Sequence, residues 1–290
     1  MASTPDYNDD LRLAHLLADD ADSLSTSRFK ALDLHVMTKP DLTPVSDADK
    51  AVEESIRRTL SRARTRDAIT GEESGSSGSS SRRWIVDPID GTKNFVRGVP
   101  VWATLIALAV DNEVVMSVVS APQLGRRWWA AKGQGAHTGK SLMKSTRCQV
   151  SDVRRLEDAS MSYSSLHGWE ERERLEDFLA LMRSCWRTRA YSDFWSYMLV
   201  AEGAVDIAVE PELEVYDMAA LDIIVREAGG SFTSLAGDPG PWGGNALATN
   251  GHLHDAVLSF LGGLPDGNND ADWPAAQPGS VTAFRRPASE

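Results

Sequence analysis

Three acidic clusters in this 290-residue chain sit beside turns or helix starts. Glu72 and Glu73 stand in "TGEES", Asp87 and Asp90 in "RRWIVDPIDGTKNF", and Asp217 opens "YDMAALDIIVREAGG". Hard divalent cations such as Mg²⁺ take oxygen ligands, usually a few carboxylates completed by water and a substrate phosphate. Two such ions ~3.5–4 Å apart can activate a water and stabilise the leaving oxygen of a phosphate ester. Asp87 follows the apolar run Trp84, Ile85, Val86, where a strand end can let it bridge two ions. Pro88 fixes the turn, so the Ile89 carbonyl can add a ligand, and Asp90 then faces the second ion. The N–H groups of Gly91 and Thr92 can cradle a phosphate if a helix starts there. The Thr92 hydroxyl can orient an attacking water together with Glu72. Each cluster alone also has a plain reading: a turn, a solvated acidic loop, and a carboxylate favourable to a helix dipole. Their conjunction is what points to chemistry.

The elements that must position these groups follow from periodicity. Leu11, Ala14, Leu17, Ala18, Ala21 and Leu24 predict a first helix. Two prolines keep "TKPDLTPV" extended. Ser46 with Asp49 resembles a capping box, and Val52, Ile56 and Leu60 stripe the helix behind it. The Gly/Ser run from Ser74 to Ser81 predicts a flexible loop. "WIVD" is a short strand; "VWATLIALAV" and "EVVMSVVSAP" form a hairpin through "VDNE". "RRWWAAKGQGAHTG" continues the sheet, with Trp128 and Trp129 packing on opposite faces. The second half alternates. Strand "ASMSYSS" and helices "WEERERLEDFLALMRSCW" and "DFWSYMLVAEG" precede strand "AVDIAVEP". The helix "YDMAALDIIVREAGG" closes on Gly229 and Gly230. Strands "SFTSLAG" and "ALATNG" and a last helix "HLHDAVLSFLGG" follow. The expected organisation is one domain over 1–264, built of two closely joined subdomains meeting near 150. A polar, disordered tail is expected over 265–290. Mixed helices and antiparallel strands make the fold class layered α+β.

Composition removes some alternatives. A formal net charge of -12 argues against nucleic-acid binding, which needs a basic footprint. It leaves room for a small phosphorylated substrate, since a bound metal supplies positive charge locally. Cys148 and Cys185 lack a metal-type spacing and fit a reduced, cytoplasmic compartment. The start "MASTPDYNDDLRL" has no signal-peptide pattern, and no apolar run approaches ~20 residues, so no membrane association is expected. No histidine spacing argues for zinc.

With these motifs assembled, the chain from about Leu11 to Gly263 resembles the inositol monophosphatase superfamily of Mg²⁺-dependent, lithium-sensitive phosphatases. "GEE" before "WIVDPIDGTKNF", the later "YDMAALDIIVREAGG" and the earlier "DLTPVSDAD" carry the resemblance. It implies a five-layer αβαβα sandwich, commonly a homodimer, with two or three Mg²⁺ ions per site. It makes Glu72, Asp87, Asp90 and Asp217 side-chain metal ligands and Ile89 a carbonyl ligand. Gly91 and Thr92 meet the phosphate, and Asp47 lies in the outer metal shell near Thr92. Glu210 contacts the part of the substrate beyond the phosphate, with Asp90 and Asp217 also at the substrate. A water activated by Glu72 with Thr92 attacks phosphorus in line, without a covalent enzyme intermediate. Two departures stand out. Tyr216 replaces the usual Trp, and Ser192, Asp193, Phe194 and Trp195 replace a run of small residues that helps contact inositol. The segment "RAYSDFWSYMLVAEGAVDIAVEPELEVYDMAALDIIVREAGG" is most similar to the branch of the family that cleaves histidinol phosphate. For that amine and imidazole, Asp193 and Glu210, with Tyr191 or Trp195, are the expected contacts. Arg189 is either a phosphate contact or a surface charge, and Lys93 either sits at the site mouth or on the surface. Inositol monophosphate and fructose 1,6-bisphosphate are the alternative substrates. A catalytically silent relative that binds phosphorylated metabolites is the alternative of another class.

Overall fold

The computed structural model describes residues 6–40 and 43–261; the predicted tail lies outside the described residues. In chain order the first half comprises α1 (Asn8–Arg28), β1 (Val36–Thr38), β2 (Pro44–Ser46), α2 (Asp47–Ala63), β3 (Ala68–Gly71), β4 (Gly75–Ser77), β5 (Arg82–Asp90), α3 (Thr92–Arg97), β6 (Ala103–Val110), β7 (Glu113–Ala121), β8 (Arg126–Ala131), β9 (Gly135–Ser141) and β10 (Lys144–Arg147). The second half comprises β11 (Ser160–Ser162), α4 (His167–Glu171), α5 (Leu175–Ser184), β12 (Arg187–Arg189), α6 (Asp193–Ala201), β13 (Ile207–Glu210), α7 (Val215–Glu227), β14 (Ser231–Thr233), β15 (Ala246–Thr249) and α8 (His254–Leu261).

Alternation along the strands creates the layers. In β5, Trp84 and Val86 face one way and Ile85 the other, because successive strand side chains point to opposite faces. Trp84 and Val86 join Ile106, Leu108 and Trp129 beneath α1 and α2. Ile85 joins Leu105, Val119 and Trp128 against α6 and α7. Trp128 and Trp129 therefore do pack on opposite faces of the sheet. The eight-stranded sheet runs β10-β9-β8-β7-β6-β5-β3-β4, and a five-stranded sheet runs β12-β11-β13-β15-β14. Helices α6 and α7 lie between the two sheets, and α4, α5 and α8 close the far face with Trp169, Phe178 and Leu261. The five layers are thus helix, sheet, helix, sheet, helix. The β6–β7 hairpin turns at Asp111 and Asn112, with φ of 50 and 63. Two consecutive left-handed residues are what a two-residue type I′ turn requires.

Two expectations fail. The Ser74–Ser81 run is not simply a flexible loop: Gly75, Ser76 and Ser77 pair with β3 as an antiparallel strand. The helix expected across "WEERERLEDFLALMRSCW" is broken, with Glu173 at φ 56. An unbroken helix would put Trp169 and Phe178 about 180° apart, at about 100° per residue. The break lets both reach one core, where their rings stack at 4.7 Å.

Candidate active site

Asp87 and Asp90 are three residues apart, so a regular strand would point them to opposite faces. The β5–β6 ladder prevents this. Asp87 pairs with Leu105 and Asp90 with Ala103, so three steps on β5 match two on β6. That single extra residue is a β-bulge, a device that re-aims side chains at sheet edges and active sites. The Asp87 Oδ1 atom accepts the Ile89 N–H at 2.9 Å, and the Thr104 hydroxyl holds the Pro88 carbonyl at 2.8 Å. The two carboxylates consequently converge.

Asp217 comes to them from α7, at its third residue. Its Oδ2 accepts the Glu214 N–H at 2.8 Å in a reciprocal cap, at the positive end of the helix. One carboxylate oxygen from each of Asp87, Asp90 and Asp217 lies within 4.8 Å of the other two. A second such group joins Asp49, Glu72 and Glu73. Glu72 and Glu73 sit just past β3, and the Lys39 ammonium lies 2.6 Å from one and 2.7 Å from the other.

The α6 helix supplies the opposite wall. Its Phe194 N–H donates to Asp90 Oδ2 at 2.7 Å. Ser192 and Asp193 lie at φ 77 and 46, strained for non-glycine residues. The Asp193 Oδ2 atom accepts Asn94 Nδ2 at 3.0 Å and the Ser192 hydroxyl at 2.8 Å. Gly91 is needed at this junction: its φ is 85, and a Cβ there would stand 3.1 Å from the Val101 carbonyl and 3.2 Å from Asp193 Oδ2. Glu210 ends β13, buried, with Oε1 lacking a hydrogen-bond partner among the described residues.

Most of the expected residues come together here; Asp47 and Arg189 do not join them. Asp47 does not stand near Thr92. It starts α2, 2.7 Å from Arg28 Nη2, with a side chain 39 % exposed. Asp49, about 200° further around that helix, is the residue that turns inward. Its Oδ2 completes the predicted capping box with Ser46, and its Oδ1 accepts the Thr92 hydroxyl at 3.1 Å. Arg189 is exposed on edge strand β12 and donates to the Thr188 carbonyl, so the described chain does not bring it to the carboxylates. Lys93 is exposed, although its charge is felt by Asp193. Lys39 was missed, and nothing in "TKPDLTPV" marks it.

The electrostatics favour a cation here. Burial, then the neighbouring charges of Glu72, Asp90 and Asp217, hold the Asp87 carboxyl well above the ordinary carboxylate range. Asp90 is raised by burial and by Asp193 and Asp217. Asp217 is raised to about 8 by burial, despite its helix cap. Glu210 is raised to about 8, again by burial first and then Asp193. The donor set is all oxygen, which fits hard divalent ions. Glu72, Asp87, Asp90 and Asp217, with Asp49 and Glu73, are therefore suited to hold them.

The sign of the pH dependence follows. A carboxyl raised in the folded state stabilises most below its unfolded pKa, and that contribution is lost as pH rises through the folded value. Asp217 and Glu210 thus lose theirs between their ordinary values, 3.8 and 4.5, and about 8. His15, held neutral near 4 by burial, acts oppositely, but only below its ordinary 6.5. Metal-free protein should therefore lose melting temperature from pH ~6.5 to ~8, and excess divalent cation should flatten the decline. Thermal melts by circular dichroism, with chelator and with cation, check this; a flat or rising profile in chelator sinks it.

Comparison with known proteins agrees with this geometry. The model of the inositol monophosphatase family matches residues 8–261. A Streptomyces coelicolor protein named histidinol-phosphatase is 64 % identical over 261 residues, covering 89 % of this chain and 98 % of its own. A Mycobacterium tuberculosis protein of the same name is 60 % identical, covering 88 % and 98 %. Among solved structures, the extragenic suppressor protein suhB from Bartonella henselae superposes with a TM-score of 0.79 at 32 % identity, covering 87 % of this chain and 97 % of that one. No helix among the described residues is long and apolar enough to cross a membrane. The protein is a phosphatase, and the chain belongs to the inositol monophosphatase family.

Proposed function

We propose that this phosphatase hydrolyses L-histidinol phosphate to L-histidinol and inorganic phosphate, using Mg²⁺, as a step in histidine biosynthesis. The observation that carries the substrate is the pair Asp193 and Glu210. Both are carboxylates beyond those in the two metal-suited groups; the charge of Asp193 raises Glu210, and both raise Asp90. An amine or imidazolium on the leaving group would relieve that repulsion; the hydroxyls of inositol would not. The two relatives named histidinol-phosphatase support the same reading.

The residues divide the work. Asp87, Asp90 and Asp217 form one cradle and Glu72, with Asp49 and Glu73, the other; the Ile89 carbonyl is a further ligand in this reading. Bound Mg²⁺ would polarise the phosphate and lower the pKa of the attacking water. The Thr92 hydroxyl donates a hydrogen bond to Asp49, at 3.1 Å, or to the Ile89 carbonyl, at 2.9 Å, which leaves an oxygen lone pair to orient that water. Glu72 takes the water's proton as the new O–P bond forms. The bond from phosphorus to the histidinol oxygen breaks opposite, and the alkoxide takes a solvent proton. Gly91 and Thr92 are assigned to the phosphate. Both cysteines are unpaired, which supports the cytoplasm as compartment. A homodimer is part of the same proposal.

The test is phosphate release with Mg²⁺ from L-histidinol phosphate, inositol 1-phosphate and fructose 1,6-bisphosphate. The expected result is a preference for histidinol phosphate of at least about a hundredfold in kcat/KM. Preference for either other ester keeps the metal site and overturns the substrate. Metal binding with no turnover of any ester favours a silent relative.

A further inference from the structure

We propose that Glu53 is a positioning residue that holds the Glu72–Glu73 turn in metal-binding geometry, an assignment that rests on the metal reading above. The Glu53 side chain is fully buried on α2 and touches none of the reacting groups. Both of its oxygens hold the turn: Oε2 accepts the Glu73 N–H at 2.7 Å and Oε1 the Ser74 N–H at 3.0 Å. Arg57, one helical turn later, donates Nε to the same carboxylate at 2.7 Å. Its two remaining nitrogens reach the Gly75 carbonyl and the Ser77 hydroxyl on β4. Gly71 makes the approach feasible. A Cβ there would fall 2.5 Å from the Glu53 carboxyl carbon.

Apart from the β3–β4 pairing on either side of it, the turn has few other ties. Glu72, Glu73 and Ser74 contribute no apolar side chain to any core, and Lys39 grips only the two carboxylates. On its other side the backbone is tied by the Glu72 N–H to the Val86 carbonyl at 3.2 Å. Asp49 and Glu53 are four residues apart on α2, so they share a face. One helix therefore presents one member of the second carboxylate group and clamps the backbone carrying the other two. A glutamine at 53 keeps the size but has a single acceptor oxygen. One turn N–H would then meet an NH₂ group, and the turn would shift to find another acceptor. Residues that orient metal ligands in this manner typically change metal affinity by about 10–100-fold when replaced.

Magnesium binding to metal-free wild type and Glu53→Gln, measured by isothermal titration calorimetry, is the test, with the Mg²⁺ dependence of phosphate release alongside. The expected result is at least about tenfold weaker Mg²⁺ binding. The half-saturating Mg²⁺ for turnover should rise equally, kcat should recover at saturating Mg²⁺, and KM for histidinol phosphate should stay unchanged. A wild-type isotherm for folded Glu53→Gln overturns the assignment. So does a uniform loss of kcat with unshifted Mg²⁺ dependence, which marks a merely structural role. If Glu53→Gln does not fold, Arg57→Gln decides: the same shift, smaller, supports the clamp, and a wild-type isotherm overturns it. Absence of Mg²⁺ binding by wild type would instead take down the metal reading, and this assignment with it.

Discussion

Asp87→Asn is expected to lower kcat by at least about 10³ while raising the melting temperature of the metal-free protein. The two signs come from one arrangement. Asp87 is 2 % exposed and faces Glu72, Asp90 and Asp217, and all of these groups are pushed toward protonation without a cation. Asparagine keeps the Oδ1 acceptor that the Ile89 N–H uses, so the turn at Pro88 survives. Its amide NH₂ can donate to neighbouring carboxylates, where a second charge would repel them. The substitution therefore removes a buried group that must either hold a charge or take up a proton, without leaving a hole or an orphaned donor. A charge without a paired cation costs several kcal/mol to bury, of order the whole stability of a marginal domain. With divalent cation the order reverses. Wild type gains stability in proportion to how tightly it binds the ion, and the variant gains less. Melts with chelator and with Mg²⁺, beside steady-state phosphate release, read both effects. Near-normal turnover of Asp87→Asn at saturating Mg²⁺ sinks the scheme. A lower metal-free melting temperature sinks the electrostatic argument while sparing the chemistry.

What the sequence could reveal about this site was the identity of its groups more than their direction. The carboxylates of "DPIDGT" were visible as a pair, but a three-residue spacing on a strand argues against convergence. Only the bulge against Leu105 and Ala103 brings them together, and a bulge is a property of the ladder. Asp217 was easier to place, since a carboxylate in a first helical turn is held by the cap itself. The choice between Asp47 and Asp49 turned on about 200° of helix rotation. The Ser46 capping box did contain that answer, because it fixes Asp49 inward over the helix start. Arg189 could not be settled from one chain, because an edge strand presents its side chains to solvent or to a partner. The layered fold was legible from alternating strand patterns. The α4–α5 break was not, because it serves the stack of Trp169 on Phe178, a contact made in tertiary structure. Glu53 reads as one more acidic residue on a helix, and its role depends on the close approach of Gly71.

Glu210→Gln and Asp193→Asn should separate leaving-group recognition from catalysis. Glu210→Gln is expected to raise KM for L-histidinol phosphate by about 10–100-fold, which is about 1.4–2.8 kcal/mol. Turnover of an ester with an uncharged leaving group, such as phenyl phosphate, should change less than about threefold. The reason is specific to the site. Glu210 is buried with Oε1 unpartnered, and it is held near 8 by burial and by Asp193. A cationic amine supplies a donor for Oε1 and the missing charge, so its arrival makes ionised Glu210 the favoured form. Glutamine offers no charge, and phenyl phosphate asks for none. Asp193 sits differently. Its carboxylate accepts Asn94 and Ser192 and helps hold the backbone at φ 77 and 46, which aims the Phe194 N–H at Asp90. Asp193→Asn should therefore raise KM for histidinol phosphate and also lower kcat for both esters, because the strained junction relaxes beside the Asp90 cradle. A double variant should lose less than the product of the single losses, since both carboxylates serve one cation. Steady-state kinetics with the two esters resolves all of these outcomes. Unchanged KM for histidinol phosphate in both single variants would remove the cationic leaving group from the proposal. An equal loss of phenyl phosphate turnover in Glu210→Gln would show that its carboxylate supports the chemistry and not the choice of substrate.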